Sequence, residues 1–183
     1  MSGTLFVGDV HGCADALDRL LDEVRPDRVI LTGDLFTKGP DPRGVWELVQ
    51  AWQAEAVLGN HDVRVLERWK AGRDLPKPAM RWLAERPWRL EGPGWLAVHA
   101  AIEPGSPHRT RRPVAVGLVE RGRWWTRWRG DRLVIHGHHA RHGLVDNRPW
   151  SLGLDTGCAR TGLLTGYVLE DDALVQVRQV AAA

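Results

Sequence analysis

Three shortages in the sequence exclude whole classes of protein. Two cysteines in 183 residues, Cys13 and Cys158, are too few for the disulfide framework of a small secreted domain. No run of about eighteen apolar residues occurs, so we expect no membrane-spanning helix. The start of the chain also lacks the basic and apolar pattern of a secretion signal. We therefore expect a cytoplasmic protein that works without a membrane.

The net charge and the aromatic composition further restrict the class of protein. The formal net charge is only +2, which gives no overall electrostatic signal for nucleic acid, and we expect no stable nucleic-acid partner. Tyrosine and phenylalanine are scarce, with one and two copies, whereas tryptophan occurs ten times. Because tryptophan buries a large apolar surface, we expect most copies in the core. A length of 183 residues predicts a single domain over residues 1–183, and a hydrophobic content of 43% is typical of a globular protein.

Five short apolar runs each end on a side chain that can bind a metal ion. The first, Leu5-Phe6-Val7, leads into Gly8-Asp9-Val10-His11-Gly12. The other four lead, in order, to Asp34, Asn60, His99 and His138. Such runs are typical of buried strands, and ligands in open α/β sheets gather at the carboxyl ends of the strands. The pattern predicts an α/β fold with a metal site at one edge of one sheet.

Helical patterns separate the first three runs. Apolar residues recur at i, i+3, i+4 and i+7 within 13–24 and again within about 42–52, which predicts strand-helix-strand units with parallel pairing. The segment of about 62–90 carries further helical patterns. It is either a small helical cap over the site or a plain connection. Two strand patterns near the end, 162–169 and 174–180, predict a hairpin.

The metal-competent blocks follow one another along the chain as Gly8-Asp9-Val10-His11-Gly12, Gly33-Asp34, Gly59-Asn60-His61-Asp62, Val98-His99-Ala100 and Gly137-His138. In this order they resemble the motifs of the calcineurin-like metallophosphoesterases. The stretch from Gly33 to Pro40 is similar to the Gly-Asp-x-x-x-Arg-Gly-Pro block of the PPP-type branch, which includes bacterial protein phosphatases and symmetrical diadenosine tetraphosphatases. The resemblance implies mixed β-sheets flanked by helices, with a dinuclear metal site at the carboxyl ends of the strands.

The resemblance also implies six ligands for two divalent cations. The first ion would take Asp9, His11 and Asp34, and the second would take Asn60, His99 and His138. Asp34 would bridge the two ions. Oxygen and imidazole ligands without thiolate favour Mn, Fe, Co, Ni or Zn over Ca, and we expect manganese first. A helix cap, a turn or a core position would explain any one of these side chains alone, but the ordered set favours the site.

His61 is the predicted general acid, because an imidazole beside the ligand Asn60 can protonate a leaving alkoxide near neutral pH. In PPP-type phosphatases the matching histidine pairs with an aspartate three residues after the bridging one, and here that position is Thr37. We expect Asp62 to serve in its place, so the predicted catalytic residues are His61, Asp34 and Asp62. Asp155, in the block after the last histidine, would orient a ligand histidine.

Phosphate binding would fall to nearby cations. Lys38 stands where the family has an arginine, and lysine offers a point charge without the bidentate fork of a guanidinium. The predicted substrate-binding residues are Lys38, Asn60, Arg43, Arg109 and Arg112. The arginines that follow His99 could equally form a solvated charge run.

These observations predict a dinuclear metal-dependent phosphoesterase that acts by in-line attack of a metal-bridging hydroxide. We favour a bacterial PPP-type phosphatase acting on phosphorylated proteins, with a dinucleoside polyphosphate hydrolase as the alternative. The Arg-Trp segment 121–132 could offer a base-stacking platform for a nucleotide, or its tryptophans could be core. A nuclease is disfavoured because Ala140 replaces a further family histidine, and a non-catalytic scaffold is disfavoured because all six ligands are present.

Overall fold

Two mixed five-stranded sheets form the framework of the protein. The computed structural model describes residues 3–67, 75–103, 106–110 and 123–179. In chain order, the elements are β1 (Thr4–Val7), α1 (Ala14–Val24), β2 (Arg28–Leu31), α2 (Pro42–Ala51), β3 (Glu55–Ala56), α3 (Asn60–Glu67), α4 (Lys77–Ala84), β4 (Arg89–Gly92), β5 (Trp95–Val98), β6 (Ile102–Glu103), β7 (Ser106–Thr110), β8 (Leu133–His136), β9 (Val145–Asn147), β10 (Ser151–Gly153), α5 (Cys158–Thr161), β11 (Leu163–Val168) and β12 (Ala173–Arg178).

The first sheet has the strand order β12-β11-β1-β2-β3. Strands β1, β2 and β3 are parallel, with Phe6 opposite Ile30 and Leu31 opposite Ala56. The helices α1 and α2 connect them, so the predicted strand-helix-strand order and parallel pairing are confirmed. The predicted C-terminal hairpin is also present, as the antiparallel pair β11 and β12, and β11 joins the sheet antiparallel to β1.

The second sheet has the strand order β4-β5-β8-β10-β9. Its central strands β5, β8 and β10 are parallel, with Val98 and Gly153 both in register with His136. The prediction of a single sheet was therefore wrong, because the runs that lead to His99 and His138 belong to this second sheet. A continuous apolar run shows only that a strand is buried on both faces. A helix or another sheet can provide the second covering surface.

Three apolar layers hold the two sheets and their helices together. Alternate residues of β1 point to opposite sides: Leu5 and Val7 pack in the layer shared with α1 and α2, whereas Phe6 packs between the sheets. There the ring of Phe6 meets Trp95 of β5 edge to face, with the ring centroids 5.0 Å apart. The third layer lies on the other face of the second sheet and contains Trp124, with Val98.

The tryptophans of the segment 123–132 belong to that third layer. Trp124, Trp125 and Trp128 keep only 2%, 5% and 5% of their surface exposed. The indole of Trp124 donates to the carbonyl oxygen of Ala100 at 3.1 Å. The base-stacking platform suggested from the sequence is therefore wrong for these three residues, because buried rings cannot offer a face to a base.

The described part of the segment 62–90 packs against the helical side of the first sheet. Val63 and Val65 of α3 and Leu83 of α4 are buried in the same layer as α1 and α2. Helix α3 is described as far as Glu67, and residues 68–74 lie outside the described part. The prediction that this segment caps the site stays a prediction. Among the described residues, no helix combines the length and apolar character needed to cross a membrane.

Candidate metal centre

The carboxyl ends of strands from both sheets meet at one cluster of acidic, amide and imidazole groups. Backbone hydrogen bonds join the loops that carry these groups. The amide of His11 donates to the carbonyl of Asp34 at 2.9 Å, and the amide of Gly137 donates to the carbonyl of His99 at 2.8 Å. Each of these bonds joins loops of one sheet, and the backbone N–H of His138 links the two sheets by donating to the carboxylate of Asp9 at 3.1 Å.

Asp34 occupies the centre of the cluster and is only 2% exposed. Its Oδ2 lies 3.6 Å from Nε2 of His11, and its Oδ1 lies 3.5 Å from Nε2 of His99. One carboxylate therefore faces two different imidazoles through its two oxygens. This is the arrangement that a carboxylate shared by two cations requires.

The remaining predicted ligands surround Asp34 on both sides. The amide oxygen of Asn60 lies 3.0 Å from Nε2 of His99 and 2.9 Å from Nδ1 of His138. The carboxylate of Asp9 accepts the backbone N–H of His138 at 3.1 Å. Within the described ranges, two groups have all their ligand atoms within 4.8 Å of one another: His11 with Asp34 and His61, and Asp9 with Asp34 and His99.

Hydrogen bonds orient two imidazoles toward the centre of the cluster. The Nδ1 of His99 lies 2.8 Å from the carbonyl oxygen of Thr32, which can only accept, so Nδ1 is the donor and Nε2 faces the centre of the cluster. The ammonium of Lys38 can only donate, and it lies 2.9 Å from Nε2 of His11. The proton of His11 is therefore on Nδ1, where it is donated to the Thr37 hydroxyl at 2.9 Å. In both rings Nδ1 is held by a hydrogen bond and Nε2 faces the cluster, an orientation that suits metal binding through Nε2.

The electrostatics of the cluster also suit a divalent cation. Burial lowers the pKa of His11 and of His138 to about 3, so both imidazoles are neutral near pH 7. Burial raises the pKa of Asp9 well above its usual range, and the nearby carboxylates of Asp155 and Asp34 raise it further. In addition, Nε2 of His138 is buried without a hydrogen-bond partner. The donor set fits divalent transition-metal ions, since it combines neutral imidazole nitrogen with carboxylate and amide oxygen.

Several of these residues occupy a backbone conformation that L-amino acids rarely adopt. His11, Asp34 and His138 have φ angles of 48°, 56° and 68°. Left-handed conformations of this kind cost about 1–3 kcal/mol each and cluster at functional sites. A close approach accompanies the strain at Asp34, because a Cβ atom on Gly59 would collide with Oδ1 of Asp34. The sequence Gly59-Asn60 therefore lets the loop after β3 lie directly against the central carboxylate.

His61 lies at the edge of the cluster and is half-buried. Its ring meets that of His11 edge to face, with the centroids 5.1 Å apart, and its backbone N–H donates to Oδ1 of Asp34 at 2.8 Å. Burial lowers the pKa of its imidazole. Thr37, which replaces the partner aspartate of the family, contacts His11 instead of His61.

Asp62 lies beneath the cluster, and its predicted pairing with His61 is not among the hydrogen bonds of the residues described. Its fully buried carboxylate accepts the backbone N–H groups of Asp34, Leu35 and Gly59. The carboxylate of Asp155 accepts the backbone N–H of Gly157 at 2.9 Å, and its negative charge raises the pKa of Asp9; its orienting of a histidine stays a prediction. Spacing along the chain could not show which groups these two carboxylates meet.

Only some of the predicted substrate-binding residues lie at the cluster. Lys38 lies in the cluster, at His11, and Asn60 lies between two imidazoles. Arg43 instead extends from α2 on the surface, where its guanidinium pairs with Glu47 at 3.2 Å. The backbone of Arg109 forms part of β7, and Arg112 lies outside the described residues. Contacts of these three arginines with substrate stay predictions.

The fold and the cluster define the class of protein. Two mixed sheets direct carboxylates, an amide and imidazoles to one centre, around a carboxylate shared between two histidines. A site of this composition is that of a metal-dependent hydrolase.

The particular family follows from comparison with known proteins. The chain belongs to the calcineurin-like phosphoesterase family, whose profile matches residues 4–161. The resemblance inferred from the ordered motifs is confirmed, as are the metallophosphoesterase fold and the hydrolase class.

Curated relatives and solved structures add detail. Symmetrical bis(5'-nucleosyl)-tetraphosphatases match in Aeromonas hydrophila, at 36% identity over 60% of this chain and 48% of the relative, and in Klebsiella pneumoniae, at 39% over 51% and 36%. The matched part thus spans about half or less of these relatives. The fold of a protein provisionally assigned as a diadenosine tetraphosphatase superposes with a TM-score of 0.87 at 27% identity, covering 98% of this chain and 95% of the other. A metallophosphoesterase from Sphaerobacter thermophilus shares the fold, with a TM-score of 0.66, 19% identity and coverage of 96% and 87%.

Proposed function

We propose that this protein hydrolyses dinucleoside polyphosphates such as diadenosine tetraphosphate in a metal-dependent reaction. The sequence motifs alone favour a protein phosphatase, with this activity as the alternative. The comparisons favour the dinucleoside polyphosphate hydrolase, because the curated relatives named above are symmetrical tetraphosphatases. The solved structure that covers 98% of this chain is provisionally assigned as a diadenosine tetraphosphatase. A phosphorylated protein as substrate has no support from them.

The observation that carries the proposal is the position of Asp34 between His11 and His99. These residues would hold two divalent cations together with Asp9, Asn60 and His138. We propose manganese as the metal. When bound, two such cations supply a water-derived nucleophile at neutral pH and positive charge for the phosphoryl oxygens. The neutral imidazoles and the shared carboxylate keep both positions ready to bind.

The surroundings of His61 support a phosphoanhydride rather than a phosphoserine as substrate. Burial lowers the pKa of His61 by more than the carboxylate of Asp34 raises it, and Thr37 offers no second carboxylate. Near pH 7 His61 therefore mostly lacks the proton that a general acid must donate. A leaving nucleotide phosphate, with a pKa of about 6, needs little protonation, whereas a serine alkoxide needs a full proton.

Lys38 completes the proposed site. Its ammonium already lies at Nε2 of His11, so it can reach a phosphoryl oxygen of a substrate held at the same centre. We propose that Lys38 binds one such oxygen as a point charge. Its backbone has a φ of 68°, and the adjacent Gly39 donates to the carbonyl of His11, so the loop holds the lysine beside the cluster.

The test compares two substrates on the same manganese-loaded protein. We expect a kcat/KM for diadenosine tetraphosphate at least about 100-fold above that for a phosphoserine peptide, with the nucleotide products identified by chromatography. The Asp34→Asn variant, purified in the same way, controls for contaminating phosphatases, since it should lose both activities. A higher kcat/KM on the peptide would overturn the proposal and restore the protein-phosphatase interpretation.

A further inference from the structure

We propose that Asp62 is a positioning residue that holds the shared carboxylate of Asp34 in place for two cations. This inference rests on the proposed metal site and assigns Asp62 a role different from pairing with His61. Asp62 is fully buried on the first turn of α3, and its carboxylate points away from solvent into the loop after β2.

The hydrogen bonds of Asp62 join two loops of the site. Its Oδ2 accepts the N–H of Asp34 at 2.7 Å and that of Gly59 at 3.0 Å, and its Oδ1 accepts the N–H of Leu35 at 2.9 Å. Both oxygens are therefore used as acceptors. Ordinary capping of α3 explains only the contact with Gly59, because the other two donors lie 27 and 28 residues away in the chain.

These bonds act on a residue whose backbone is strained. Asp34 has a φ of 56° and follows Gly33, whose φ is 94°. A conformation of this kind persists only where the surroundings enforce it. The first turn of α3 holds Asp34 at two points: Asp62 accepts its backbone N–H, and the N–H of His61 donates to its Oδ1 at 2.8 Å. The direction in which the two carboxylate oxygens point is thereby set.

A carboxylate at position 62 cannot be replaced by an amide without loss. In an Asp62→Asn variant one oxygen becomes an NH₂ group, which cannot accept an N–H. At least one of the three backbone donors would then be buried without a partner, and the loop carrying Asp34 would relax. We therefore expect the two cations to bind more weakly, since partners that orient metal ligands contribute about 10–100-fold to metal affinity.

The test measures Mn²⁺ binding rather than turnover. We expect isothermal titration of metal-free protein to show an affinity about 10–100-fold lower for Asp62→Asn than for the unchanged protein. We also expect electron paramagnetic resonance of the loaded variant to show less of the exchange-coupled signal of two bridged Mn²⁺ ions. The matched control is Val49→Ala, which removes buried volume from α2 in the helical layer, and it should lower the melting temperature while leaving Mn²⁺ affinity unchanged.

If Asp62→Asn lowers the melting temperature as Val49→Ala does and leaves Mn²⁺ affinity and the coupled signal intact, the proposal is overturned. Should Asp62→Asn fail to fold, Asp62→Glu serves instead, because it keeps the charge but displaces the carboxylate. We expect Asp62→Glu to lose Mn²⁺ affinity by the same factor, whereas Val49→Ala keeps its Mn²⁺ affinity. These readouts do not depend on the substrate. Preference for a phosphopeptide would overturn the proposed function alone, whereas unchanged Mn²⁺ binding in both Asp62 variants would overturn this inference alone.

Discussion

The two halves of the candidate metal centre are held in place by different kinds of group. On one side, Nδ1 of His99 is oriented by a backbone carbonyl, that of Thr32. On the other side, Nδ1 of His11 is oriented by the Thr37 side chain, and Lys38 contacts its Nε2. A backbone carbonyl is present whatever the residue, whereas a side-chain partner can be lost by substitution. The departures from the family pattern at 37 and 38 lie in the half that depends on side chains.

Asp34→Asn should have the largest effect, because it affects both halves at once. The variant loses the negative charge that faces His11 and His99. We expect kcat/KM to fall by about 10³-fold or more on any phosphoester substrate, by analogy with other groups essential to stabilising the reaction. Steady-state kinetics with Mn²⁺ in excess would measure it. Retention of more than a tenth of the activity would show that the carboxylate is not shared between two cations.

His61→Asn is expected to cost less, and by an amount that depends on the substrate. General acid catalysis contributes about 10²–10⁴-fold where a poor leaving group must be protonated. We expect a loss at the upper end on a phosphoserine peptide and of about 10-fold on diadenosine tetraphosphate, whose leaving group is already acidic. Equal losses on the two substrates would contradict the role assigned to the leaving group.

Thr37→Val separates the two halves of the cluster. It removes the hydroxyl that accepts from Nδ1 of His11 and leaves the contact of His99 with Thr32 untouched. We expect one of the two Mn²⁺ affinities to fall about 10-fold and the other to stay the same, as resolved by titration calorimetry. Thr37→Ser keeps the hydroxyl and serves as the matched control, with near-normal binding. Equal weakening of both ions would mean that the halves are not independent.

The smallest predicted effect concerns His136, a buried histidine that affects the pH dependence of stability and is not a predicted metal ligand, unlike its neighbour His138. It is fully buried between Trp124 and Trp125, and burial lowers its pKa to about 3 from an ordinary 6.5. Between pH 3 and 6.5 the unfolded chain therefore binds a proton that the folded protein does not. Stability contributed by this group is present above pH 6.5 and is lost as the pH falls toward 3.

The size of that loss can be measured against a variant that does not titrate. From pH 7 to pH 5 the free energy of unfolding should fall by about 2 kcal/mol on account of His136. His136→Phe keeps an aromatic ring between the tryptophans, and we expect its urea denaturation to depend less on pH by that amount. If both proteins lose the same stability over this range, His136 is not neutral in the folded state.

Many of the residues of the site could be predicted from the sequence, because short stretches of neighbouring residues mark each of them. An apolar run followed by a glycine and a ligand specifies a strand and the residue at its carboxyl end, as at Leu31 and Asp34. Helical periodicity between such runs specifies the parallel order of β1, β2 and β3, which the structure confirms. The ordered set of ligands identified the family. It could not identify the substrate, since the same motifs resemble those of both protein phosphatases and diadenosine tetraphosphatases.

Only the tertiary structure decided which surfaces and side chains meet. It divided the strands between two sheets, because a run buried on both faces is satisfied equally by a helix or by another sheet. It buried Trp124 under the second sheet, where the spacing alone allowed either a core or a binding surface. It also directed Asp62 to the backbone of Asp34 rather than to its neighbour His61. Adjacent side chains on α3 point in different directions, and the partner of each depends on what the rest of the chain places there.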